Sequence, residues 1–524
     1  MKLVTDNLAS AEPIGTNRVA LEVGEEELVS LATEALSRGM RLALIAAHDD
    51  KTRFRAVYLF TGGPPDRRIE LHLPMSRDKP SVPSLARQSF PAGRFEREMQ
   101  DLFGIVPLGH PQPRPLVLHQ HWPEDWHPMA HTAGAFPGVT PATTSYPFAP
   151  VEGAGVYEIP VGPVHAGLIE PGHFRFWAVG ESILRMKARL WFLHKGVEKL
   201  FEGCGVEEGL RLAERISGDS AVGHGLAYCL AVEDAQGWEV PSQAQVLRAL
   251  LLEMERLYNH VSDIGAMCND VAFGIAHAWA LRLREYLLRL NAQVTGHRLL
   301  RGGILPGSGI VHRVPDRMEL GEIGERFEEL VELATRNSMV MERFDGTAVL
   351  STENARDLGV VGVVGRGSGL AFDARRSHPT FEAGEDISVV TQQRGDVMAR
   401  FQVRVEEVRS SLALIASYAQ RADPPGVVPA PRSPLGRDDA LTRSSPRILS
   451  DVSGASGVGL VEGWRGVIVH RIEIDRGGRL TRAKIVDPSF LNWPALPVAL
   501  TDTIVPDFPL ANKSFNLSYA GNDL

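Results

Sequence analysis

The sequence predicts an α+β protein, in which a small N-terminal α/β domain is followed by a mainly helical bundle domain with small β-sheets. Short β-prone segments and one amphipathic helix alternate over the first hundred residues. A stretch rich in proline, histidine and tryptophan follows. Long segments with apolar residues three and four positions apart then dominate, which is the pattern of helices packed in a bundle. We therefore divide the chain into residues 1–106, a Pro-rich linker at 107–150, and 151–524.

The composition is that of an ordinary globular protein. It has a net charge of −9, with 44% hydrophobic and 23% charged residues. Its 524 residues are enough for more than one domain. The mild acidity and the lack of a basic run argue against a nucleic-acid partner. Cys204, Cys229 and Cys268 are too few and too scattered for a disulfide framework or for a zinc or iron–sulfur cage.

Neither a signal peptide nor a membrane span is indicated by the sequence. The first 21 residues lack a basic segment followed by an apolar core, and no apolar stretch reaches the ~18–20 residues that a membrane helix needs. We expect a cytoplasmic protein that associates with a membrane only through partner subunits or surface contact.

The strands of the N-terminal domain are predicted from apolar residues two positions apart, and its helix from apolar residues three and four positions apart. One amphipathic helix, Glu25–Arg38, places Leu28, Leu31 and Leu36 on one face. The predicted strands are Val19–Val23, Arg41–Ala47, Arg53–Phe60 and Arg68–Leu73.

The large domain is predicted to be mostly helical. We expect helix from Ser182 onwards and a Pro-rich extended loop over residues 422–447. Two strands, Gly459–Glu462 and Val467–Ile474, are predicted near the end of the chain. The longest predicted helices are Gln243–Asp263, Trp279–Val294, Glu319–Arg343 and Val397–Tyr418.

The linker carries several histidines that could in principle bind a metal. Its prolines exclude a helix that would present them together, so a polar, stiffened connector is the better interpretation. The histidines are His110, His119, His121, His127 and His131.

One string at the end of the N-terminal domain is distinctive. Residues 94–105 read RFEREMQDLFGI, and GHP follows at 109–111. This resembles the signature of the 30-kilodalton subunit of respiratory complex I. The resemblance implies a docking and stability element, to which no catalysis is assigned.

The large domain is similar to a superfamily with two branches. One is the 49-kilodalton quinone-site subunit of complex I, and the other is the large subunit of energy-converting nickel–iron hydrogenases, including formate hydrogenlyase. The resemblance spans most of residues 155–524 and implies one chain that fuses both subunit types. The strings that carry it are GPVHAG at 162–167, EPGHFRF at 170–176, HKGVEKL at 194–200, HGLAYC at 224–229 and EGWRG at 462–466.

The nickel-binding motifs of that family are altered. Residues 215–224 read RISGDSAVGH and residues 487–493 read DPSFLNW, where the hydrogenases carry Arg-x-Cys-Gly-x-Cys and Asp-Pro-Cys-x-x-Cys. Thiolates are good ligands for transition metals, whereas hydroxyl and amide groups are poor ones. We therefore predict that this chain binds no nickel. The four substituted ligand positions are Ser217, Ser220, Ser489 and Asn492.

The resemblance implies a set of residues for quinone and proton chemistry. His165 matches the histidine that lines the quinone chamber of complex I, and Gly218 stands where that branch has a quinone-contacting tyrosine. Glu170 resembles the glutamate that passes protons in hydrogenases, and Asp219 could accept a proton if it is buried. Three of these residues also have an ordinary structural interpretation. His165 could be a loop histidine, Glu170 a solvent-exposed or salt-bridged carboxylate, and Asp219 a turn residue.

Three functions remain open at this point, of which the least favoured is an active hydrogenase, since it would need nickel ligands other than thiolates. The first is a subunit of a membrane-associated redox complex that passes electrons from an iron–sulfur cluster in a partner small subunit to a quinone or another acceptor, with coupled proton transfer and membrane-arm partner subunits. The second is a structural or assembly subunit without a catalytic site, because a fold can outlast its function. The family implies a quinone as the possible cofactor, and nothing in this chain binds an iron–sulfur cluster.

Overall fold

A computed structural model describes residues 11–141, 146–166, 169–381, 387–422, 426–427 and 454–524. Most of the Pro-rich segment predicted to be an extended loop, 422–447, lies outside these residues. Within them, no helix has the length and apolar character needed to cross a membrane.

The N-terminal domain is a five-stranded sheet with strand order β1-β2-β5-β4-β3, in which only the β2–β5 pair is parallel. All four predicted strands and the predicted helix are present. The helices α1 and α2 bury Leu28, Leu31, Phe95 and Met99. The elements are β1 Glu12–Gly15, β2 Arg18–Glu22, α1 Glu25–Ser37, β3 Arg41–Asp49, β4 Phe54–Gly62, β5 Arg67–Met75, β6 Ser81–Pro83, α2 Phe90–Phe103 and β7 Val106–Leu108.

The large domain begins with a three-stranded antiparallel sheet, whose strand over Ser182–Arg189 replaces the start of the helix expected there. Strand β10 pairs with β9 along most of its length, and β9 pairs with β8. The prediction of a helix from Ser182 is wrong over Ser182–Arg189, because apolar residues four positions apart, such as Met186 and Leu190, lie on one face of either a strand or a helix. The elements are β8 Val156–Val161, β9 His173–Val179, β10 Ser182–Arg189, α3 Val197–Phe201 and α4 Val206–Ala213.

Long helices form the core of the large domain, as predicted. The apolar stripe of α6 is buried through Leu247, Leu250, Met254 and Leu257, and α6 packs against its neighbours in the bundle. The predicted helix Glu319–Arg343 is broken in two, because Asn337 caps the second helix with its side chain. The helices are α5 Ala221–Gln236, α6 Ser242–Asp270, α7 Gly274–Thr295, α8 Arg317–Thr335, α9 Ser338–Phe344, α10 Thr352–Leu358, α11 Gly362–Gly367, α12 Ala374–Ser377 and α13 Val397–Arg421.

A second antiparallel sheet, β14-β15-β16, lies between the helical core and the N-terminal domain. One face packs against α5, and the other meets the N-terminal sheet through buried ion pairs such as Arg471–Glu70 at 3.0 Å. The remaining elements are β11 Ile304–Leu305, β12 Ser308–Val311, β13 Gly426–Val427, β14 Ala455–Gly463, β15 Gly466–Ile474, β16 Leu480–Val486, α14 Pro488–Asn492, α15 Ala495–Ala499, a 3-10 turn Val505–Asp507, α16 Phe508–Phe515 and α17 Tyr519–Asp523.

The connector between the domains is fixed by backbone hydrogen bonds. Asp101 of the RFEREMQDLFGI string accepts from the backbone N–H groups of residues 116–118 at 2.7–3.2 Å. The rings of His110, His119 and His127 each contact a backbone carbonyl at 3.0–3.1 Å. These three histidines hold the connector in place, as the interpretation of a polar connector expects.

Candidate functional site

The substituted ligand positions converge from two distant parts of the chain. Ser217 and Ser220 lie in the loop before α5, while Ser489 and Asn492 lie on the short helix α14 that follows β16. Pro488 at the start of α14 and the Asp487 side chain, which caps it, fix that helix directly after the strand. All four side chains are buried, with exposures of 3% or less.

A serine that the sequence did not point to links the two halves. The hydroxyls of Ser217 and Ser518 are 2.9 Å apart, and the Ser518 backbone N–H donates to Ser489 Oγ at 2.9 Å. Ser518 caps α17 by accepting from Gly521 N–H. The hydroxyl groups at the ligand positions Ser217 and Ser489 are thus both hydrogen-bonded to Ser518.

The remaining two positions are likewise satisfied by protein groups. Asn492 forms a matched pair with the backbone of Val361, accepting from its N–H at 2.9 Å and donating to its carbonyl at 3.1 Å. Ser220 Oγ accepts from the indole N–H of Trp464 at 3.1 Å.

An arginine–aspartate pair dominates the electrostatics of the site. Arg465 donates from both terminal nitrogens to the two carboxylate oxygens of Asp219, at 2.6 and 2.7 Å. Burial opposes ionisation of Asp219, but the Arg465 guanidinium holds the pKa of this carboxyl below its usual value. The Arg465 side chain is 6% exposed and that of Asp219 is 39% exposed, so the pair has a buried cationic end and an open anionic end.

These residues do not fit a nickel ion. The four positions supply hydroxyl and amide groups that already have hydrogen-bond partners, and the guanidinium of Arg465 would repel a divalent cation.

Two other predicted site residues, Glu170 and Gly218, lie at the rim of the site formed by the four substituted ligand positions. Glu170 accepts from the backbone N–H of Ala520 at 3.1 Å, two residues from Ser518. A side chain at Gly218, which is exposed, would meet nothing within 4 Å, so there is open space beside the loop.

His165 is half-buried in the loop between β8 and β9. Its Nε2 donates to the Gly172 carbonyl at 2.7 Å. It is joined to the site by Phe174, whose ring lies 6.0 Å both from that of His165 and from that of Trp493.

A buried chain of titratable side chains lies behind α14. His224 Nε2 contacts Asp487 Oδ2 at 3.0 Å, and His224 Nδ1 contacts His470 Nε2 at 3.0 Å. Burial and then the neighbouring His224 keep the pKa of His470 well below its usual value. His224 is completely buried.

Glu255 on α6 was missed by reasoning from the sequence. Its carboxyl oxygens accept from the backbone N–H groups of Val222 and Gly223 at 2.6 and 2.9 Å, at the start of α5. Burial raises the pKa of Glu255 to about 8. The signal was a glutamate inside an apolar helical stripe, and such a residue must find polar partners within the core.

Family models match three parts of the chain. Residues 21–134 match the respiratory-chain NADH dehydrogenase 30 Kd subunit, residues 195–263 match the nickel-dependent hydrogenases, and residues 263–523 match the respiratory-chain NADH dehydrogenase 49 Kd subunit. Both complex I-type parts predicted from the sequence are therefore present.

Individual proteins match over most of the chain. Formate hydrogenlyase subunit 5 of Escherichia coli strain K12 is 31% identical over 466 residues, which cover 87% of this chain and 79% of the relative. Hydrogenase-4 component G of the same strain is 32% identical, with 86% and 76% covered. NADH-quinone oxidoreductase subunit 4 of Thermus thermophilus is 30% identical, with 67% and 90% covered. The chain belongs to the family of fused 30-kDa/49-kDa complex I-type subunits that includes formate hydrogenlyase subunit 5 and hydrogenase-4 component G.

Proposed function

We propose that this chain is a nickel-free electron-transfer subunit of a membrane-associated complex. It receives electrons from the iron–sulfur cluster of a partner small subunit and passes them to a quinone or another acceptor with coupled proton transfer, while membrane-arm subunits anchor the complex at the cytoplasmic face. The names of its relatives, which include a formate hydrogenlyase subunit and NADH-quinone oxidoreductase subunits, support this kind of assembly.

The observation that carries the proposal is the Arg465–Asp219 pair in place of a metal centre. Hydrogen bonds fix the buried side of the site, while the Asp219 carboxylate and the open space at Gly218 face outwards. A fixed charge pair beside an open space suits an acceptor whose oxygens change charge during reduction, because preorganised dipoles need no reorganisation.

The exposed side of the site suits an apolar acceptor with polar oxygens. The loop from β8 to β9 exposes Val164 and Ile169, at 88% and 57%. The Nε2–H of His165 is donated to the Gly172 carbonyl, so Nδ1 can accept a hydrogen bond from a hydroxyl of the reduced acceptor, or, in the imidazolium form, donate one to a carbonyl oxygen of the oxidised acceptor. His165 is thereby proposed to contact the acceptor, and Gly218 to leave room for it.

Reduction of a quinone to a quinol consumes two protons, so the site needs proton donors. Glu170 and Asp219 are proposed to carry protons at the rim. Glu255, with a pKa raised by burial to about 8, retains its proton near neutral pH and lies behind the loop that contains Asp219. The side-chain amide of Asn259 donates to the backbone carbonyls of Asp219 and Glu255, which holds this loop against α6.

The test uses the intact membrane complex, purified through a tag on this chain. A reduced low-potential dye supplies electrons and a short-chain quinone accepts them. We expect turnover in the wild type and a loss of about a hundredfold or more in His165→Ala, the range of a lost proton-transfer group. The control is His121→Ala, which removes an exposed connector histidine and should leave turnover unchanged.

The two functions make opposite predictions for this assay. A complete complex without turnover would favour the structural or assembly subunit and would remove the catalytic roles of His165, Glu170 and Asp219. Equal turnover in the wild type and in His165→Ala would place the acceptor elsewhere.

A further inference from the structure

Two adjoining cavities lie between α2, the connector and β10, on a part of the molecule that the proposed function does not use. Their volumes are about 580 Å³ and about 400 Å³. Both are lined by Arg114 and Lys187, so they form one continuous depression, which we call the cationic pocket.

The cationic pocket concentrates positive charge in an acidic chain. Six basic residues line it, although the whole protein carries a net charge of −9. None of the six forms an ion pair with a carboxylate in the described part of the chain, whereas most other buried arginines do. The six residues are Arg94, Arg97, Arg114, Arg185, Lys187 and Arg189.

The hydrogen bonds of these arginines go to neutral groups. Arg97 donates to the carbonyls of Arg114 and Pro115 at 2.7 and 2.9 Å. Arg189 is 4% exposed, and it donates to the carbonyls of Leu116 and Leu118. The connector thus holds the guanidinium groups in place without neutralising them. Buried Nε–H groups remain without a partner among the described residues on Arg94, Arg114 and Arg189.

This arrangement carries an electrostatic cost. Burial, together with the neighbouring guanidinium groups, lowers the pKa of Lys187 to about 8. Burial and the neighbouring Arg97 lower the pKa of Arg94 to about 9. An anion bound between these groups would offset their repulsion and supply the missing acceptors.

The smaller cavity also has apolar lining. Besides the cations, it is lined by Phe90, Leu358, Trp493, Pro494 and Val498. A ligand that fills the cavity therefore meets both cations and apolar side chains.

We propose that the cationic pocket binds a phosphate-bearing amphiphile, with its phosphate held by Arg94, Arg114 and Lys187 and its apolar portion directed towards Trp493 and Val498. Guanidinium forks match the geometry of phosphate oxygens. An anionic phospholipid has this chemistry. A free phosphate would contact only the cations.

The test measures binding to the full-length chain by titration calorimetry with short-chain probes below their micelle concentration. Dihexanoyl phosphatidylglycerol is compared with inorganic phosphate, with zwitterionic dihexanoyl phosphatidylcholine and with an oligoglutamate peptide. We expect the phosphatidylglycerol to bind at least about tenfold tighter than each of the others. Added salt should weaken its binding because the contacts are ionic.

Matched variants place the site. Lys187→Gln/Arg114→Gln should weaken phosphatidylglycerol binding about tenfold or more, since it removes two of the three cations proposed to hold the phosphate. Lys79→Gln/Arg476→Gln removes the same charge from exposed positions outside the pocket, and should change binding less than about twofold. Lys187→Gln alone serves as the second variant if the double variant unfolds.

Three results would overturn the proposal. If inorganic phosphate bound as tightly as the lipid, the apolar side chains of the pocket would contribute nothing to binding. Binding of the oligoglutamate alone would make this a docking surface for an acidic peptide. Phosphatidylglycerol that does not bind, or that binds equally to both double variants, would show that the pocket is not a phosphate site.

Discussion

Glu255 shows how a single buried carboxyl can be tuned by its surroundings. Two backbone N–H groups at the start of α5 favour its ionised form, but the cost of burial outweighs them and raises its pKa to about 8. The folded protein therefore holds this proton at pH values where the unfolded chain has released it. The contribution of this carboxyl to the free energy of unfolding therefore decreases as the pH rises from the usual carboxyl pKa to about 8.

The Glu255→Gln variant tests this coupling. It removes the titration, so the melting temperature of the wild type should fall relative to that of the variant as the pH is raised from 5 to 9. At low pH the wild type should be more stable, because glutamine cannot accept from both N–H groups. Thermal unfolding followed by circular dichroism measures this. Parallel curves for the two proteins would contradict the assigned pKa.

At the scale of elements, the contact between α5 and β14 depends on glycines. A Cβ at Gly457 or Gly459 would lie 1.8–1.9 Å from the carbonyl oxygens of Ala231 or Ala227. The strand can therefore approach the helix backbone only because these side chains are absent. This close packing fixes α5, and with it the loop that contains Ser217 and Asp219.

A pair of glycine substitutions separates packing from backbone entropy. Gly459→Ala should destabilise the protein by about 3 kcal/mol or more, because strand and helix must separate. Gly321→Ala on the exposed face of α8, where a Cβ meets nothing, should instead stabilise it by about 0.5–1 kcal/mol. Denaturant unfolding measures both. A neutral Gly459→Ala would mean that the contact is loose.

The sequence predicts elements well where apolar periodicity alone determines them. The stripes of α6 and α13 and the strands β14 and β15 were predicted from spacing. The packing of those strands was not, because the alternation of Val469 and Arg471 is typical of a strand with one solvent-facing side. In the structure both faces are buried, since Arg471 finds carboxylates on the N-terminal sheet. An ion pair between residues hundreds of positions apart leaves no pattern in the local sequence.

The site was partly predictable for the same reason. The motifs located Ser217, Ser220, Ser489 and Asn492, and the structure brings them together. The link through Ser518 and the pairing of Asp219 with Arg465 depend on three-dimensional contacts between segments far apart in the chain.

At the scale of the whole molecule, buried ion pairs join the two domains. Arg471 binds both oxygens of Glu70 on β5 at 3.0–3.1 Å and also contacts Glu473 at 2.9 Å. Arg55 on β4 reaches Glu473 from the opposite side. His48, Asp50 and Glu473 are close enough together to hold a metal ion, but two guanidinium groups already neutralise these carboxylates.

Removal of one member of this network should destabilise both domains together. We expect Arg471→Met to lower the free energy of unfolding by about 3–5 kcal/mol, because it leaves buried carboxylates without their counter-ion. Arg336→Met breaks an exposed pair with Glu332 and should cost less than about 1 kcal/mol. Denaturant unfolding should show one transition in the wild type. A separate unfolding of the N-terminal domain would contradict the role of this interface.

We infer that an ion pair stands where the hydrogenases hold nickel. The most direct measurement is the metal content of the intact complex, purified through this chain from cells grown with added nickel and analysed by mass spectrometry. We predict nickel far below one atom per chain, because Ser217, Ser220, Ser489 and Asn492 are poor ligands that already have hydrogen-bond partners. One nickel atom per chain, retained through purification and lost in Asn492→Leu, would contradict the account.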